Sequence, residues 1–167
     1  MIDGIVEMIV ANFGGSVPKE LIVFLVSMIP ILELRGSILA AGFLKMEFLS
    51  TFMIAVLGNM LPIPFILLFI RKIFNWLKRF NKIGSIIIKL EEKSLSKADN
   101  VRKYKLWGLF LFVAIPLPGT GAWTGALIAD LLGMKTKEAF PVIAAGVAVA
   151  GCIISALSYG LFGLLGF

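Results

Sequence analysis

Residues 114–127 read AIPLPGTGAWTGAL, two prolines and three glycines inside an otherwise apolar stretch. Pro116 and Pro118 lack amide donors and push the residue before each of them out of the helical region. Gly119, Gly121 and Gly125 supply backbone freedom that a lipid-facing helix does not need. Each arm beside this break is about 10 residues, or roughly 15 Å at 1.5 Å per residue. That is half of a hydrocarbon core about 30 Å thick. Two half-length arms joined by a Pro/Gly turn predict a re-entrant hairpin, with a single kinked spanning helix as the alternative.

A second break lies upstream, where residues 30–37 read PILELRGS. Pro30 and Gly36 bracket it, between arms Leu21–Ile29 and Ser37–Leu44. Glu33 and Arg35 are the only ionisable residues from Leu21 to Leu44. On a regular helix, positions i and i+2 point away from each other, so this pair does not neutralise itself. A charge at the centre of a membrane helix costs about 2.5–3.5 kcal/mol, so two unpaired ones cost about 5–7. At a hairpin tip beside water that cost falls. Glu33 is then placed to carry a proton, and Arg35 to hold a phosphate or carboxylate with its planar fork of donors. The plainer reading is a structural pair that pins the hairpin backbone.

The surroundings place both breaks in a membrane. Of 167 residues, 59% are hydrophobic and the mean hydropathy is +1.00, well above the roughly 45–50% apolar content of soluble domains. Met46 to Ile70 carries one charge, Glu47, and Phe140 to Phe167 carries none. Each exceeds the roughly 20 residues that span a bilayer. No Lys or Arg precedes Lys19, so no cleavable signal peptide is expected. Ile2 to Phe13 reads as a short interfacial helix, or as a core helix.

Charge supplies the orientation. Of the 16 Lys and Arg residues, 11 fall between Arg71 and Lys105, against Glu91, Glu92 and Asp99. The positive-inside rule puts that segment in the cytoplasm and the chain in the cytoplasmic membrane. Ile73, Phe74, Leu77 and Phe80 recur at helical spacing among its basic residues, which suits a helix lying on anionic lipid head groups. The run is tethered between membrane segments, so a nucleic-acid partner is not expected. The whole then reads as one all-α integral membrane domain. Repeat 1 covers about 18–71, a basic cytoplasmic linker covers 72–105, and repeat 2 covers about 106–167. Each repeat is a broken segment followed by a long span, and opposite insertion makes them an inverted pair.

The PILELRGS and AIPLPGTGAWTGAL motifs, separated by a basic linker, resemble the small multidrug export protein family. The chain looks like a compact relative of the DedA (VTT-domain) membrane proteins. The resemblance implies two re-entrant hairpins of opposite orientation and export of small toxic compounds. The DedA relatives imply movement of polyprenyl-phosphate lipid carriers and proton-dependent drug tolerance. Carried over by residue, the acidic position falls on Glu33, with Arg35, Gly36 and Ser37 following. DedA-type proteins also resemble one another in arginines on the second hairpin. Here that hairpin offers Pro116, Pro118, Thr120, Trp123 and Thr124 and no arginine. Backbone amides from Gly119 to Gly121 would substitute as an anion nest.

Accessory candidates are Asn59, as a hydrogen-bonding partner of a hairpin or a kink residue, and Asp130, as a coupling site or an interfacial charge. Trp107 reads as an interface anchor. Gly146, Gly151 and Gly160 suggest close helix packing or a homodimer face. With no histidine and one buried-looking thiol, Cys152, no metal site, cofactor or intrachain disulfide is expected. No Ser/His/Asp or paired-carboxylate constellation points to an enzyme. The expected function is a secondary, proton-coupled transporter of an anionic amphiphile such as a lipid phosphate. The alternatives are export of small hydrophobic or cationic drugs, or a non-transporting membrane scaffold.

Overall fold

A computed structural model describes residues 2–13 and 17–165. Those residues form helices and connecting turns, with no strand among them. The chain divides into two units, Met1–Pro62 with Val147–Phe167, and Ile63–Gly146.

In the first unit, α1 (Ile2–Phe13) packs against α3 (Glu33–Phe43), to which it brings the buried Val6. Helix α2 (Lys19–Met28) packs on α3 and on α4 (Phe48–Met60). Pro30 ends α2 by forcing Ile29 into an extended conformation (φ −76°, ψ 126°). Helices α2 and α3 run back along each other, because the Lys19 ammonium donates to the Leu44 carbonyl at 2.8 Å. That contact places a cation at the C-terminal end of α3, where the helix dipole favours it. Gly58 lets α4 approach α2 closely. A Cβ there would stand 2.7 Å from the Phe24 carbonyl and collide with Ser27 Oγ.

In the second unit, α5 (Ile63–Leu77) packs on α9 (Ala122–Leu131), and α6 (Asn81–Leu95) packs on both. Phe74, Ile87 and Leu127 form the buried junction of these three helices, flanked by Ile70, Leu77 and Leu131. The short α7 (Asp99–Tyr104) folds back on α8 (Leu106–Ala114) through Lys105, held at φ 50°. Gly108 makes that approach possible, since a Cβ there would meet the Asn100 carbonyl and stand 2.8 Å from Val101 Cα. Pro116 ends α8 as Pro30 ends α2, with Ile115 extended (φ −85°, ψ 117°).

The two halves share a further local geometry. Helices α3 and α9 both end on a left-handed residue, Lys45 (φ 52°) and Gly133 (φ 70°). The next amide reaches back five residues in each, Met46 to Ala41 at 3.0 Å and Met134 to Ala129 at 2.9 Å. This is a Schellman turn, used twice.

A long helical run follows each turn. Phe48–Leu77 and Thr136–Ser158 are long and apolar enough to cross a membrane. Only 33% and 39% of their most apolar windows are buried, whereas the core helix of a soluble protein hides its apolar face. Leu49 (68% exposed), Met53 and Leu57 (61%) instead line an outward stripe at four-residue spacing. Helix α10 (Thr136–Leu165) contributes its first part to the second unit and the remainder to the first. Gly146 seats Val113 and Gly151 seats Phe52 within the chain, while a Cβ added at Gly160 would meet nothing within 4 Å among the described residues.

Several expectations change. The apolar span expected from Met46 to Ile70 lies within the helical run Phe48–Leu77, which has a two-residue turn at Leu61–Pro62. The stripe of Ile73, Phe74, Leu77 and Phe80 is split: Phe74 is buried against α6 and α9, while Ile73 and Phe80 are exposed. A second amphipathic helix was available to compete for that face. Cys152 is exposed rather than buried.

Candidate functional site

Glu33 is the first residue of α3, not part of the break, and Arg35, Gly36 and Ser37 follow in the helix. Pro30 alone terminates the preceding helix, so the turn is confined to residues 29–32 and α3 starts earlier than Gly36 suggested. Glu33 stands at φ 47°, a left-handed conformation that costs an L-residue about 1–2 kcal/mol. Its side chain is nevertheless buried, at 9% exposure. Arg35, two residues further along α3, is half-buried.

The left-handed step at Glu33 explains Gly36. Its amide donates to the Leu32 carbonyl at 2.8 Å, and a Cβ at 36 would stand 2.7 Å from Leu32 Cβ. Ser37 is fully buried, and its hydroxyl donates to the Leu34 carbonyl at 2.9 Å. Ser37 therefore serves the helix backbone. Asn59, in the same unit, is buried with no hydrogen bond to its Oδ1. The expected bond to a hairpin is not made by that oxygen.

In the second unit the break at 115–121 is knitted by Thr120. Its hydroxyl accepts from the Leu117 amide at 3.1 Å and lies 2.8 and 3.0 Å from the Leu117 and Ile115 carbonyls. Gly119 (φ 76°) and Gly121 (φ 146°) take backbone conformations that L-residues rarely adopt. Trp123 and Thr124, expected on this hairpin, sit half-buried in the first turn of α9. Pro116 is half-buried and Pro118 exposed.

Lys97 supplies the cation that the second break lacks in its own sequence. Its ammonium lies 3.4 Å from the Pro118 carbonyl and 3.3 Å from that of Gly119. Position 119 has no room for a Cβ because Lys97 Nζ occupies it. The linker is thus part of this site. Sequence reading missed Lys97, one basic residue among 11 in the run. The one local signal was Gly108, a glycine inside an apolar helix that marks where α7 closes on α8. Asp130 pairs with Arg71 across α5 and α9, which is a fixed structural charge rather than an isolated one.

No curated protein and no solved structure matches the chain. Residues 33–153 match the family described as "Putative small multi-drug export protein". That stretch runs from Glu33, the first residue of α3, through the second break into α10 and covers more than half of the chain. The chain belongs to this small multi-drug export family.

Proposed function

We propose that the chain is a secondary transporter of the cytoplasmic membrane that moves an anionic amphiphile, of lipid-phosphate type, in exchange with protons. The observation that carries this reading is Glu33. An ionisable group is buried in an apolar helix pair, on a strained backbone, beside Arg35. Ionisable residues inside membrane segments mark transport pathways and proton relays, and left-handed non-glycine residues gather at functional sites. In this reading Glu33 carries the proton and Arg35 the anion. Each broken segment is a re-entrant hairpin, the two repeats insert in opposite senses, and the basic linker faces the cytoplasm. The half-length helices, the paired Ile-Pro breaks and the paired Schellman turns support that arrangement.

A second reading, export of small hydrophobic or cationic drugs, is favoured by the family's description. Purified protein in liposomes separates the two. Under the first reading, a lipid phosphate crosses only with a pH gradient, Glu33→Gln abolishes the gradient response, and Arg35→Lys slows transport without unfolding the protein. Cation transport that Glu33→Gln abolishes and Arg35→Ala leaves intact would establish the drug exporter instead. Folded protein that moves neither class would be a scaffold.

A further inference from the structure

Two concavities of the second unit share Lys97. One is a cleft of about 200 Å³ bounded by Leu90, Lys93, Ser94, Lys97, Gly119 and Thr124. The other is a groove of about 370 Å³ whose walls include Leu111, Phe112, Ile115 and Leu117. The first is lined by two lysines, two hydroxyl side chains and no carboxylate. The acids nearby in sequence do not enter it: Glu91 is held by Lys78 at 2.6 Å, and neither Glu92 nor Asp99 lines it. Among the described residues, Lys97 is held by two long contacts to neutral carbonyls, which position the ammonium without neutralising it.

We propose that the cleft and groove together bind one anionic amphiphile, with a phosphate-type head between Lys93 and Lys97 and an alkyl tail along α8. Charge selects the head, since two lysines without a counter-charge attract an anion and repel a quaternary ammonium. Size agrees, because a cleft of about 200 Å³ falls below the roughly 300–1,000 Å³ of drug-sized pockets. The hydroxyls of Ser94 and Thr124 add donors, and the N-terminal end of α9 adds its positive dipole. Leu111, Ile115 and Leu117 are all exposed, so the groove opens sideways to whatever surrounds α8. Lys97 stands where the polar and apolar parts meet, as a head-to-tail junction requires. The site rests on the anionic-amphiphile reading for its purpose, but its occupancy is a binding equilibrium and needs no transport.

The test uses the full chain in phosphatidylcholine nanodiscs, with dodecyl phosphate, inorganic phosphate and dodecyltrimethylammonium as probes in calorimetric titrations. Dodecyl phosphate should bind saturably, and the Lys93→Gln/Lys97→Gln pair should weaken it by about tenfold or more. Lys89→Gln, which removes an exposed α6 charge outside the cleft, should leave it unchanged. Leu111→Ser with Ile115→Ser should weaken dodecyl phosphate, and inorganic phosphate should bind far less tightly than its alkylated form. Unaltered melting of each variant confirms folding. Wild-type affinity in the double-lysine variant, or equal affinity for the cationic probe, would overturn the site. Equal affinity for inorganic and dodecyl phosphate would overturn the amphiphile and leave a plain anion site. Binding without transport in liposomes would remove the transporter reading while the site stands. Transport retained in a variant that no longer binds would support the site and show that it serves no transport step.

Discussion

Arg71 holds Asp130 twice: its Nε lies 3.3 Å from Asp130 Oδ2, and its Nη2 donates to the Asp130 backbone carbonyl. One contact is an ion pair between α5 and α9. The other caps the C-terminal end of α9 with a cation. Arg71 is half exposed, so the ion pair contributes about 0–1 kcal/mol, and the cap about 0.3–1 kcal/mol. Arg71→Ala removes both, whereas Asp130→Asn removes only the first. Thermal unfolding in detergent should therefore give a loss of about 1–2 kcal/mol for Arg71→Ala and under about 1 for Asp130→Asn. Equal losses would mean that the cap contributes nothing.

Glu33 separates strain from chemistry. Glycine fits φ 47° without the penalty an L-residue bears, so Glu33→Gly should match or exceed the wild type in stability, within about 1 kcal/mol. Glu33→Gln keeps the strain and the shape. Both variants lack the carboxylate, and both should fail to respond to a pH gradient in liposomes. A Glu33→Gly protein that melts several degrees lower would show that the carboxylate holds the turn together.

Thr120 is expected to matter for the turn itself. Thr120→Val deletes a hydroxyl that serves one amide and two carbonyls. The expected cost is about 0.5–1.5 kcal/mol, the net contribution of hydrogen bonds that lie at the surface. Thr120→Ser keeps the oxygen and should recover most of that stability. Comparable melting of the valine and serine variants would deny the hydroxyl its structural role.

Topology is open to cysteine labelling. In a Cys152→Ser background, single cysteines at Lys89 and Lys135 should react with an impermeant maleimide from the cytoplasm, and one at Lys45 only from outside. Reaction of Lys45 and Lys135 sites from the same side would break the inverted arrangement. In the wild type, exposed Cys152 lies on an apolar span. It should react with a lipid-soluble maleimide well before a water-soluble one.

Much of the fold was legible because proline acts locally. Ile29 and Ile115 turn out of helix for one reason each, the proline that follows, and both breaks begin where the sequence puts them, although the first ends sooner, at Glu33. The long apolar runs were equally legible from composition. What escaped depends on tertiary competition. Nothing in the order of residues says that Phe74 meets Ile87 and Leu127 rather than lipid, since its stripe suits either surface. The left-handed Glu33 was hidden too, because Gly36 looked like the turn residue when it is the neighbour that makes room. Lys97 was invisible as an individual among many lysines. Its place is fixed by the α7–α8 fold-back at Lys105 and Gly108.

The division of the chain into units sets an order of assembly. Ile63–Gly146 is contiguous, whereas Met1–Pro62 is completed by Val147–Phe167. A ribosome therefore delivers the whole of the second unit while the first still waits for its last helical segment. Until that segment emerges, Gly151 is missing from Phe52 and Leu34, and their packing surface is bare. A nascent chain arrested at Gly146 should keep the α5–α9 junction as protected as in the finished chain but leave the Phe52 and Leu34 faces of α4 and α3 less protected. Membrane chaperones that read unfinished packing would meet this protein through its N-terminal third, although that third is synthesised first.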